Sequence, residues 1–184
     1  GSSVSKDLAC GGYRLGWIAF PETQNIFFEK CKFFASRIYS CAAVPIQYAT
    51  SDMLSNSQLY QDYSQKTTQL FSYILNQLLP TLENTELLYS QTNSSWYSFI
   101  DFSNYQEKLS LKNINTSIEL ADYLLHNYGI VCVAGTYFNH HSLSIRLSFV
   151  DFEFDFEIDG PIEQVDLTKM KQGLQLLVTF VKSL

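Results

Sequence analysis

Five residues have the types and spacing to do chemistry. Lys6 follows Ser5 directly, Ser3 lies two positions before Ser5, and Arg14 comes eight residues after Lys6, behind Gly11-Gly12. An amine attacks a carbonyl carbon only when neutral, and lysine is protonated at neutral pH. A positively charged, partly dry pocket would lower its pKa and free the amine. The planar fork of Arg14 suits a phosphate dianion, and the glycines let the backbone turn closely beside it. The fifth residue is Arg146, in the alternating run Ser144-Ile145-Arg146-Leu147-Ser148-Phe149. Arg14, Arg37 and Arg146 are the chain's arginines. A chain this sparing tends to need a bidentate fork where it keeps one. A solvated lysine, surface ion pairs and turn serines account for the same residues without chemistry.

The elements that must position them are read from hydrophobic period and breakers. Residues 14–20 read as a short buried strand stopped by Pro21. From Glu22 to about Ser40 the apolar residues Ile26, Phe27, Phe34 and Ile38 recur at helical spacing, which makes this stripe core. Pro45 breaks the helix between Ser40 and Gln47; a second resumes near Tyr48 and is interrupted at Asn56. A third runs from Gln58 to about Leu79, ahead of Pro80. Short strands are expected at Leu87–Tyr89 and, richer in aromatics, at Ser95–Phe102, then a polar loop over Asn104–Asn113. Thr116 or Ser117 caps a helix that ends at Gly129. Ile130–Val133 reads as a buried strand, Ala134–Ser142 as a loop with exposed His140 and His141, and Ser144–Val150 as a half-covered strand. Asp151–Asp159 alternates acid and aromatic without a clear assignment. Pro161 opens the last helix, to about Val181. Tyr97, Tyr137 and Phe138 fit either a pocket lining or plain core.

Composition narrows the classes. The 184 residues are 46% apolar, enough for a domain with a real core, yet only 16% charged, so some apolar surface is expected to meet another domain or subunit. A net charge of −6 with no lysine or arginine run argues against nucleic-acid binding. Cys10, Cys31, Cys41 and Cys132 lack disulfide or zinc spacing and read as small buried hydrophobes in a reducing compartment; no metal site is expected. No apolar run approaches membrane-spanning length.

Four segments in order carry a family resemblance: Ser3-Val4-Ser5-Lys6 with Arg14; the Pro45-Ile46-Gln47 break; Trp96-Tyr97-Ser98-Phe99-Ile100-Asp101-Phe102; and Gly129 to Phe138 followed by Ser144 to Phe149. Together they resemble the C-terminal part of class I and II, fold-type I, pyridoxal-phosphate-dependent aminotransferases. Ala134 stands where the family usually has proline.

The resemblance implies an α/β fold: the C-terminal portion of the fold-type I transferase, with a small mixed sheet covered by helices. It divides the chain into residues 1–45, from the large cofactor-binding domain, and 46–184, the connecting helix and small domain. It makes Lys6 the Schiff-base lysine, puts Ser3, Ser5 and Arg14 on the phosphate of pyridoxal 5′-phosphate, and puts Arg146 on the substrate α-carboxylate. The acidic partner of the pyridine nitrogen and the aromatic residue over the ring would lie upstream of Lys6. The implied activity is amino transfer between an amino acid and a 2-oxo acid, in a cytoplasmic homodimer, with these 184 residues inactive alone. Another fold-type I chemistry (C–S lyase, decarboxylase or synthase) and a non-catalytic regulatory module remain open.

Overall fold

The computed structural model describes residues 1–90, 95–157 and 160–184, and it divides into two compact units, Gly1–Thr67 and Thr68–Leu184. In the first unit, β1 (Ser2–Ser3) leads into one turn of helix, α1 (Val4–Asp7), and β2 (Gly16–Trp17) returns antiparallel to β1, with Ser2 opposite Trp17 and Ser3 opposite Gly16. The expected strand over residues 14–20 is therefore shorter and not buried: Trp17 is 38% exposed and Ile18 67%. β2 has no second strand neighbour among the described residues.

α2 (Asn25–Ile38) forms where the period placed it, after a 3₁₀ turn at Glu22–Gln24. Its apolar stripe is not core. Ile26 is 77% exposed, Phe34 58% and Ile38 77%, because no described element packs over that face. α3 (Val44–Ser55) starts earlier than expected, since Pro45 fits its first turn, where a missing N–H costs nothing. Asn56 interrupts the path: its side chain accepts the Leu59 N–H at 3.1 Å at the start of α4 (Ser57–Leu78).

The second unit holds the main core, built from residues 70–181. Its sheet has the order β3 (Leu88–Tyr89), β4 (Tyr97–Asp101), β6 (Ser144–Ser148), β5 (Val133–Ala134). Every pairing is antiparallel, a more uniform sheet than the mixed one expected. Ser98 and Ile100 of β4 and Ile145 and Leu147 of β6 are buried on one face, as period-two alternation requires. The run Asn104–Asn113 is not simply loop: it contains the short helix α5 (Gln106–Ser110), and Tyr105 just before it and Leu109 within it are buried. α6 (Ser117–Tyr128) begins with a capping box. Thr116 accepts the Glu119 N–H at 3.2 Å, and Glu119 accepts the Thr116 N–H at 2.9 Å. It stops at Gly129, whose φ of 67° is left-handed.

The expected strand Ile130–Val133 pairs only from Val133, and Val131 is 80% exposed. α7 (Thr168–Lys182) starts later than Pro161, which precedes a 3₁₀ turn at Ile162–Gln164; the Asp166 carboxylate instead accepts the Thr168 N–H at 2.9 Å. β6 ends at Ser148, so the acid–aromatic tract from Asp151 does not extend it; Ile158 and Asp159 lie outside the described residues.

Candidate functional site

Lys6 lies on α1 and is exposed. The segment around it is anchored from both sides. Val4 and Leu8 are buried, and the Val4 N–H donates to Leu15 O at 3.1 Å. The Cys10 N–H returns to Val4 O at 3.0 Å, and the Tyr63 hydroxyl donates to Leu8 O at 2.7 Å. Burial pushes the Tyr63 phenol up, with Cys10 adding to the shift, so the hydroxyl stays a donor. Ser3 and Ser5 are half-buried on the same segment. Ser3 occupies the N-terminal flank of α1 without capping it.

Arg14 is exposed and ends the 3₁₀ turn Gly11–Tyr13 in the left-handed conformation, φ 55°. Its Nη1 donates to Gly11 O at 2.8 Å, which folds the side chain back over its own turn. Ala9 in the same loop is also left-handed, φ 53°. Two such non-glycine residues within six positions cost roughly 1 kcal/mol or more each, and strain of this kind gathers at binding loops. The β1–β2 pairing and the Val4–Leu15 bond hold the Lys6 and Arg14 segments side by side. A cavity of about 590 Å³ in this unit is lined by Arg14, Ser2, Gly16, Trp17, Phe28 and Lys32, among others. Ser3, Ser5 and Lys6 do not line it.

Arg146 belongs to the second unit, on the face of β6 opposite Ile145 and Leu147. Phe99 pairs with it across β4, and Val133 pairs with it across β5. The guanidinium carbon lies 4.1 Å from the Tyr97 ring centre and 4.5 Å from that of Phe138. Its Nε is buried, with no hydrogen-bond partner among the described residues. Tyr97 and Phe138 therefore surround a charged side chain, while Tyr137 is 70% exposed.

A polar network borders this face. The Ser142 hydroxyl donates to Asp101 at 2.6 Å, and Ser103 donates to the same carboxylate through both its N–H and its hydroxyl. Burial pushes the Asp101 pKa up, but the bonds from Ser103 and Ser142 and the charge at His140 outweigh it and hold it below the ordinary carboxylate value. His140 Nδ1 lies 2.9 Å from the Ser142 hydroxyl and 3.0 Å from that of Ser144. Its ring stacks on Phe99 at 5.8 Å. His140 is thus exposed as expected, yet anchored. Tyr97 and Phe138 read as pocket lining or core in the sequence, but their packing on Arg146, and the role of Asp101 beside it, escaped the sequence reading. Their signal was the alternation Tyr97, Phe99, Asp101, legible only once β4 is known to pair with β6.

The family model for class I and II aminotransferases matches residues 2–153. No curated protein matches by sequence. The fold is similar to an aromatic aminotransferase from Pyrococcus horikoshii, at 18% identity and TM-score 0.71, covering 98% of this chain and 42% of that one. It is also similar to an aspartate aminotransferase from Thermus thermophilus, at 17% identity and TM-score 0.66, covering 94% and 40%. An aminotransferase from Mycobacterium tuberculosis gives 18% identity and TM-score 0.67, covering 99% and 41%. The chain thus spans about two-fifths of the length of these solved relatives.

Proposed function

Because this chain belongs to the class I and II aminotransferases, we propose that it carries the lysine loop and the substrate-carboxylate arginine of an enzyme that moves an amino group between an amino acid and a 2-oxo acid. Membership of the family implies pyridoxal 5′-phosphate as cofactor. When bound, that group supplies an electron sink for the substrate Cα–H bond. The donor set fits it: an arginine fork and serine hydroxyls suit a phosphate dianion, and they sit on two segments that β1 and β2 tie together. That tie is the observation that carries the reading.

In this reading Ser3, Ser5 and Arg14 hold the phosphate, and the Lys6 amine attaches the cofactor. The Lys6 Nζ would also be the base that moves the proton at the substrate Cα. Arg146 fixes the plane of the substrate carboxylate, which decides which Cα bond can break. Residues 1–45 belong to the cofactor-binding domain and 46–184 to the connecting helix and small domain. The exposed stripe of α2 supports a further covering domain or subunit, and we take the working enzyme to be a cytoplasmic homodimer. No helix among the described residues is long and apolar enough to cross a membrane.

The test is a transaminase assay of the full-length protein containing this chain, with 2-oxoglutarate and a series of amino acids. Lys6→Ala should abolish amino transfer and the visible absorbance of the attached cofactor. An unchanged spectrum removes Lys6 from this role, and products of elimination or decarboxylation instead of a new amino acid overturn the reaction class. The 184 residues alone should not turn over.

A further inference from the structure

Arg146 is held in an unusual way. Among the described residues no carboxylate lies within ion-pair reach of it, and its Nε has neither water access nor a hydrogen-bond partner. Buried N–H groups are rarely left in that state, because the desolvation goes uncompensated. What the side chain does have is two aromatic rings, Tyr97 and Phe138, close against its guanidinium carbon. A cation over an aromatic face is attracted by the ring quadrupole, and more so when water is excluded.

We infer that Tyr97 and Phe138 are positioning residues. They withdraw the Nε edge of Arg146 from solvent and present the terminal Nη1 and Nη2 edge, so that the fork receives a carboxylate end-on. The inference rests on the role of Arg146 proposed above and adds which residues aim it and which edge it offers.

The supports of the two rings differ, and both are accounted for. Tyr97 stands on β4 opposite Ser148, two residues along from the Phe99–Arg146 pair, so it is a diagonal neighbour of Arg146 on one face. Phe138 ends the 3₁₀ turn Gly135–Phe138, which is tied at both ends. At the front, Gly135 lies so close to Ser144 that any Cβ there would collide with the Ser144 hydroxyl. Behind it, Asn139 is left-handed at φ 58°, and His140 is anchored by Ser142 and Ser144. Phe138 also meets Phe99 edge-on at 5.2 Å. The Asp101–Ser142–His140 network is thereby linked to Arg146: it fixes the loop that delivers the second ring.

With Arg14, Arg37 and Arg146 as the chain's arginines, arginine-selective ¹⁵N labelling gives a small set of side-chain signals, assignable by substitution. The probe is propanoate, titrated into the full 184-residue chain. The Arg146 Nη signals should sharpen and shift, while its Nε–H should move little and exchange slowly with solvent. Tyr97→Phe keeps a ring and should bind propanoate as the unaltered chain does. Tyr97→Leu and Phe138→Leu should each weaken binding by about tenfold and speed Nε–H exchange. Phe138 is 42% exposed, so its truncation should leave the unit folded. If both leucine variants bind and exchange like the unaltered chain, the positioning role is wrong and Arg146 keeps its carboxylate. If propanoate perturbs Nε more than Nη, the assigned edge is wrong. If propanoate moves no Arg146 signal in the unaltered chain, the proposed role of Arg146 itself falls.

Discussion

The Ser142 hydroxyl donates to the Asp101 carboxylate at 2.6 Å and so joins the end of β4 to the loop that leads into β6. Ser103 completes the set of donors on Asp101, and His140 stands close enough to favour its charge. The carboxylate is therefore more acidic in the folded chain than in the unfolded one. A depressed folded pKa gives stability that is full at neutral pH and is lost as pH falls from the ordinary carboxylate range through the lower folded value. Denaturant titrations across pH 2–7, a range chosen to span the carboxylate values, should show that slope. Asp101→Asn should flatten it and cost about 1 kcal/mol at neutral pH, since the hydrogen bonds weaken when the acceptor is uncharged.

Phe180 and Phe34 test how differently two phenylalanines are used. Phe180 is fully buried, with ring centres of Tyr128 at 5.3 Å and Tyr123 at 5.5 Å. Phe180→Ala should cost about 3–5 kcal/mol by leaving a cavity among those rings. Phe34→Ser should change stability by no more than about 0.5 kcal/mol, because that side chain is 58% exposed and meets Phe33 only edge-on. It should also reduce self-association, measurable by light scattering. Equal losses from both substitutions would mean that α2 is covered after all.

Thr116→Ala removes the acceptor for the Glu119 N–H at the first turn of α6. The expected cost is about 1 kcal/mol, read as a lower denaturation midpoint with an unchanged slope. Thr116→Ser should restore most of it.

Burial, with the Asp122 charge adding to it, pushes the Cys132 thiol up to about 11. At pH 8 only roughly one molecule in a thousand carries the reactive thiolate there. Cys41 is exposed. Iodoacetamide should therefore label Cys41 well before Cys132 in the folded chain, and mass spectrometry of timed samples reads the order. Denaturant should bring the two rates together.

The parts of the fold that were legible before the structure are those where one local signal decides the outcome. Thr116, Glu119 and Gly129 bound α6 by capping chemistry that lies within one turn of each end. Helical period likewise found α2 and α4. What failed depends on partners distant in sequence. The Ile26–Ile38 stripe has the pattern of a buried face, and pattern alone cannot say whether the covering surface lies among the same residues. Ile130–Val133 is apolar throughout, yet which residues pair is set by β6, and Val131 is left outside. Arg146 could be singled out as a scarce side chain, whereas Tyr97 and Phe138 became its neighbours only through strand register and a turn closed on Ser144.

With the phosphate-holding role proposed for Arg14, its left-handed backbone sets folding against binding at a single position. Glycine adopts φ 55° freely, so Arg14→Gly should firm up the turn by up to about 1 kcal/mol while removing the fork. A chain selected only for stability would drift toward that exchange, and its thermal midpoint would rise as the phosphate contact proposed for Arg14 was lost. Screens that rank variants of this protein by melting temperature would then favour the ones least able to work.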